Sequence, residues 1–179
     1  MAVDYVTDGK IGIDLTAVYA STSAGSVTVM PARPGDRVCT SNGGDYMFAR
    51  CQSDCAQFDV VVFSPYGDSA SQTPTQAFVP ITTTNGQGVG CSGVGIVQVS
   101  VASSYYCWVA LGGTNLRCNA LIAAQPKVQL YTTSTAGKVD DATVSAGYLP
   151  GLVLNTSATS ASAPYCMASN LKVITLGAG

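Results

Sequence analysis

The most reactive atoms in this 179-residue chain are the thiols of Cys39, Cys51, Cys55, Cys91, Cys107, Cys118 and Cys166. Seven is an odd number, so at least one thiol stays out of any intrachain disulfide or is engaged between chains. A nucleophilic cysteine needs a neighbour that favours the thiolate, most often histidine, and the sequence contains none. Arg50 beside Cys51 and Arg117 beside Cys118 have the right charge, but adjacent side chains on a strand point to opposite faces. Cys51 and Cys55 make one close C-x3-C pair. An all-cysteine zinc site ordinarily uses two such pairs, so no metal is expected. Two readings of the thiols stay open: small apolar residues packed in a core, or up to three intrachain disulfides formed in an oxidising medium.

The carboxylates offer less. All ten acidic residues are Asp, and the absence of Glu and His removes the histidine-based triads, imidazole metal sites and neutral-pH switches. Asp140 and Asp141 are the only adjacent acidic pair, yet neighbours on a strand cannot face each other across a cleft. Asp36, Asp45, Asp54 and Asp59 are expected to serve solvation and turn hydrogen bonds. The glycine-rich run at 85–95 superficially suggests a nucleotide loop, but Val97, Val99 and Val101, at alternate positions after Ile96, predict a strand where that motif needs a helix. Asn155-Thr156-Ser157 fits a glycosylation acceptor pattern and reads as a polar strand end. No catalytic residue and no cofactor are assigned, and the chain is expected not to be an enzyme.

Charge points away from nucleic acid. Eight Lys and Arg face ten Asp, and the local excess at Arg33, Arg37 and Arg50 is interleaved with Asp36, Asp45 and Asp54. No stretch reaches the length of a membrane-spanning helix, and the N-terminal residues lack the pattern of a secretory signal. Synthesis as a soluble cytoplasmic product is the expectation, with no membrane partner.

The elements that must position these residues are strands. Val, Thr and Ile number 21, 18 and 6, while Leu, Met, Lys and Arg number only 10, 4, 4 and 4. This balance favours pleated segments over uninterrupted helix. Residues 1–25 read as an extended N-terminal arm and surface loop, and residues 26–179 as a single β-rich domain. Asn42-Gly43-Gly44 predicts a tight hairpin turn. Phe58–Phe63 predicts a strand covered on both faces. In Ser104–Leu111, Tyr105, Cys107, Val109 and Leu111 alternate with Tyr106, Trp108 and Ala110. One set is expected to enter the core and the other to pack against a second layer or a partner. Gly112-Gly113 then predicts a turn, with Leu116–Ala123 returning antiparallel. Together the turn spacing predicts roughly 10 to 13 short antiparallel strands in a compact barrel or sandwich.

Three segments, Gly95–Val101, Tyr106–Gly113 and Leu130–Ala142 followed by Gly151–Leu154, give the chain a body that resembles the head decoration and capsid-stabilising proteins of tailed bacteriophages. The resemblance spans about Ser26 to Leu176 and rests on no isolated catalytic signature. It implies a nonenzymatic virion protein on the outer capsid surface, a homo-oligomer such as a trimer, bridging subunits of the major capsid protein without touching nucleic acid. Tyr5 and Val6 in the arm and Tyr106 and Trp108 on the aromatic strand are the candidate interface residues. The alternative is a receptor- or carbohydrate-binding β module of a tail or fibre, which would display an aromatic platform near Tyr106 and Trp108.

Overall fold

The computed structural model describes residues 13–20, 30–64, 77–84, 93–142, 147–160 and 163–175. Among them are twelve strands and no helix, as the β-branched composition requires. In chain order these are β1 (Arg37–Cys39), β2 (Asp45–Cys51), β3 (Val60–Ser64), β4 (Ala77–Pro80), β5 (Val94–Val97) and β6 (Tyr106–Arg117). They are followed by β7 (Tyr131–Thr132), β8 (Val139–Asp140), β9 (Gly147–Tyr148), β10 (Leu152–Leu154), β11 (Tyr165–Ala168) and β12 (Ile174–Thr175). They form an 8-stranded sheet, in the order β1-β2-β4-β3-β5-β6-β11-β10, and a 4-stranded sheet, β12-β9-β7-β8.

Within the larger sheet the pairing runs in a circuit. β2 pairs with β4, β4 with β3, β3 with β5, β5 with β6, and β6 returns to β2. The β2–β4 pair is parallel, which corrects the expectation of antiparallel strands throughout. The reason is arithmetic: an odd-membered circuit cannot alternate direction all the way round. One end of the circuit is extended by the β1–β2 hairpin, whose turn places Gly43 at φ +76° as its sequence predicts.

The sequence predicts a turn at Gly112-Gly113, and here the fold differs. β6 runs straight through both glycines for 12 residues. Its first half pairs with β2, from Asp45↔Gly112 to Arg50↔Tyr106, and its second half with β11, where Tyr165 opposes Arg117 and Ala168 opposes Gly113. The glycines therefore mark a hand-over between partners. Gly113 sits at φ +147°, and a Cβ on Gly112 would lie 3.3 Å from the Ala168 carbonyl. A side chain at either position would obstruct that transfer.

Both faces of the circuit are covered. Ala49, Cys51, Val61, Phe63, Phe78, Val97, Cys107 and Val109 form one cluster. On the opposite face, Phe48, Val60, Val62, Ile96, Tyr106 and Trp108 join a larger cluster with Leu130, Val139, Leu149, Leu152 and Leu154 from the later strands. The alternation read along Ser104–Leu111 thus separates two cores. Gly95 is needed on the first face, because a Cβ there would stand 2.5 Å from Val109 Cγ1 and 3.1 Å from Phe63 Cε2. Of the N-terminal arm, residues 13–20 lie against this body: Tyr19 exchanges backbone hydrogen bonds of 2.9 and 2.8 Å with Tyr106, and its ring meets Phe48 edge-on at 5.7 Å.

Candidate functional site

The structure buries the two aromatic residues expected at an interface. Trp108 is wholly enclosed and Tyr106 is 9% exposed. Their rings flank Phe48, with Tyr106 stacked at 5.8 Å and Trp108 tilted at 5.2 Å. A surface role for them is therefore corrected to a packing role. The second layer laid over β6 by the later strands covers the face that pattern alone left available. Tyr5, Val6 and Cys91 lie outside the described residues.

The thiols divide by position. Cys39 is exposed, whereas Cys51, Cys55, Cys107, Cys118 and Cys166 are buried. At one end of the circuit, Cys51 Sγ and Cys55 Sγ are 3.5 Å apart, and both approach the carbonyl oxygen of Ser53, at 2.8 and 3.3 Å. The side-chain hydrogen bond with Cys55 holds the Cys51 thiol below its ordinary range despite burial. The same contact, reinforced by burial, pushes Cys55 up. Cys107, on the same face, is pushed up to about 12 by burial and by its proximity to Cys51. In the larger core, contact with Cys166 and then burial raise Cys118. Of the neighbouring guanidiniums, Arg50 Nη2 donates to Ser104 Oγ at 3.3 Å, and Arg117 donates twice to the Ala163 carbonyl, at 2.9 and 2.8 Å.

The described carboxylates hold backbone. Asp36 accepts from Arg33 N, Asp54 from Ser103 N and Asp141 from Gln125 N, and Asp140 accepts from the amide of Asp141. Asp45 pairs with Arg37. Asp59 differs in being 6% exposed. It accepts from Ala56 N and from Asn119 Nδ2, both at 2.8 Å, where the start of β3 meets the segment that follows β6. Burial raises its pKa, opposed by those two hydrogen bonds and by Lys138. Gly137, at φ +76°, backs against this carboxylate so closely that a Cβ would collide with it. Asp59 is thus a polar fastening between the start of β3 and the segment after β6, packed under the Gly137 turn that leads into β8.

At the end of the circuit away from Cys51 and Cys55, a cavity of about 510 Å³ opens beside Met47, Phe63 and Leu111. The Arg37–Asp45 ion pair sits on its rim, so the charges there already satisfy each other. Among the described residues, no group of three or more Cys or Asp is placed to hold a metal ion. No helix among them is long and apolar enough to cross a membrane.

Among the exposed large hydrophobic residues, which also include Tyr105, Ile122 and Val128, two lie on one strand, β11. This strand buries Cys166 and Ala168 and turns its larger side chains outward, leaving Tyr165 48% and Met167 43% exposed. Register places Val153 opposite Met167 and Arg117 opposite Tyr165, so these four share one outer face. The Arg117 guanidinium lies 5.4 Å from the Tyr165 ring centre and 4.8 Å from that of Phe58, steadying the rim of the patch. Alternation in Tyr-Cys-Met-Ala identifies the strand, but hydropathy does not reveal that the small pair faces inward.

Comparison with known proteins gives no family: no family model matches the chain, and no curated protein or solved structure matches it significantly. The class that the fold itself defines is a mainly β protein of two sheets with mixed and antiparallel pairing.

Proposed function

We propose that the five-strand circuit is a small closed barrel and that the chain is a nonenzymatic adhesion module that decorates the outer surface of a tailed-phage capsid. The observation that carries the adhesion reading is the outward row of Tyr165, Met167 and Val153 beside Arg117. Large apolar side chains held on a strand cost little further conformational entropy when a partner covers them, and an aromatic residue beside Arg is a common anchor pair at interfaces. The capsid assignment rests on the sequence resemblance and draws support from a frame whose circuit strands are covered on both faces. Many copies, each bridging neighbouring subunits of the major capsid protein, would sum a modest local stabilisation into resistance to internal pressure. An aromatic platform for glycans at Tyr106 and Trp108 is disfavoured by their burial.

The test is co-sedimentation of purified chain with assembled heads of the phage that encodes it. Wild-type protein is expected to pellet with the heads. The Tyr165→Ser, Met167→Ser double variant is expected to stay in the supernatant while remaining folded. Equal pelleting of both would remove the β11 face from the proposal, and no pelleting of the wild type would remove the capsid.

A further inference from the structure

The Cys51–Cys55 segment is held in place by backbone contacts on both sides. Cys51 N donates to Tyr105 O at 2.8 Å, and Ser104 N donates to Cys51 O at 2.7 Å. Cys55 and Val101 exchange backbone hydrogen bonds of 2.9 and 3.0 Å. Between them, Gln52 N donates to Phe78 O at 3.0 Å, Ser103 Oγ to Gln52 O at 2.9 Å, and Ser103 N to Asp54 Oδ1 at 2.7 Å. The Cys51–Cys55 backbone is thus fixed by β4 and by the segment preceding β6. Their sulfurs stand 3.5 Å apart, in contact but not bonded. A disulfide needs about 2.05 Å, so closing it draws the two sulfurs together by about 1.5 Å.

We propose that Cys51 and Cys55 are a built-in oxidisable pair that closes to a disulfide when the chain meets a small-molecule disulfide oxidant such as oxidised glutathione. The Cys51 thiolate attacks one sulfur of the oxidant, forming a mixed disulfide and expelling the first small-molecule thiolate. Cys55, after giving up its proton, attacks the Cys51 sulfur and expels the second. Two protein thiols are oxidised, one external disulfide is reduced to two thiols, and the two protein protons end on those products. Contact with Cys55 favours the thiolate at Cys51, which suits it to the attacking role, and leaves Cys55 to resolve the intermediate. Cys107 is the nearest rival on that face, but register sets it opposite Ala49. The inference is independent of the adhesion reading, since a protein with no affinity for capsids would oxidise in the same way.

The experiment refolds the full chain in glutathione buffers ranging from fully reduced to strongly oxidised, so that burial of the thiols does not limit access. Remaining thiols are alkylated under denaturing conditions, and the chain is cut after its aromatic residues. The peptide from Ala49 to Phe58 holds Cys51, Cys55 and no other cysteine. In oxidised buffer it is expected unalkylated and two hydrogens lighter than its reduced form. Double alkylation of that peptide, or a crosslink from Cys51 to any other cysteine, would overturn the proposal. Cys55→Ala removes the resolving thiol, so in oxidised buffer Cys51 is expected to stop at the mixed disulfide, carrying one glutathione on that peptide. Protection of Cys51 in that variant by a crosslink to another cysteine, with no glutathione attached, would also count against the pairing, and the wild-type readout stands even where the variant folds poorly.

Discussion

β6 and β11 are adjacent strands in one sheet, yet they handle large side chains in opposite ways. Along Tyr106–Ala110, β6 buries every residue, one set in each of two cores. Along Tyr165–Ala168, β11 buries only its small residues and displays Tyr165 and Met167. The difference follows from neighbours. β6 lies inside a circuit of paired strands and is also overlaid by the later strands, whereas β11 lies outside that circuit, paired with β10 and the end of β6, with Tyr165 and Met167 exposed. Large residues on β6 serve stability, and those on β11 remain available for contact.

The largest effect that would sharpen this contrast is at Trp108. Trp108→Ala should cost about 3–5 kcal/mol in urea unfolding, through lost burial and the cavity left behind. Trp108→Phe should cost much less, because the buried Trp108 Nε1 has no hydrogen-bond partner to lose. A near-neutral Trp108→Ala would mean that the second layer does not pack as described.

Next in size is Gly95→Ala, expected to destabilise by about 1–3 kcal/mol because the new methyl meets Val109 and Phe63 inside a filled cluster. An unchanged melting temperature would show slack in that cluster.

The Asp59 fastening has a pH signature. The folded-state pKa of Asp59 is raised above its ordinary value of 3.8, so the folded chain binds that proton more tightly than the unfolded chain does. Its contribution is complete below the ordinary carboxylate range and is lost as pH rises through the raised value. Asp59→Asn should flatten that part of the stability–pH curve, measured by urea unfolding at successive pH values. A slope unchanged in the variant would assign the titration elsewhere.

The smallest stability effects belong to β11. Tyr165→Ser and Met167→Ser should each change unfolding free energy by about 0.5 kcal/mol or less, as exposed positions usually do. Losses as large as that at Trp108 would erase the distinction between the two strands.

Much of this frame was legible before any coordinates. The β-branched residues gave the class, the Asn42-Gly43-Gly44 turn gave the β1–β2 hairpin, and the alternation in Tyr106–Leu111 gave a strand with two distinct faces. What stayed hidden depends on distant partners. Gly112-Gly113 looks the same locally whether it turns the chain or transfers a strand from β2 to β11. Nothing between residues 45 and 80 announces that β2 and β4 run parallel, since that follows from closing a circuit of five. The candidate site was the least legible part, because burial of Tyr106 and Trp108 and exposure of Tyr165 and Met167 are decided by what lies over each face.

The central claim, adhesion through the open face of β11, is tested most directly by electron cryomicroscopy of particles carrying this chain, at side-chain resolution. The account predicts density for it on the outer head surface, with Tyr165, Met167 and Val153 against a capsid subunit. Density confined to the tail, or a head-bound chain with that face turned to solvent, would contradict it.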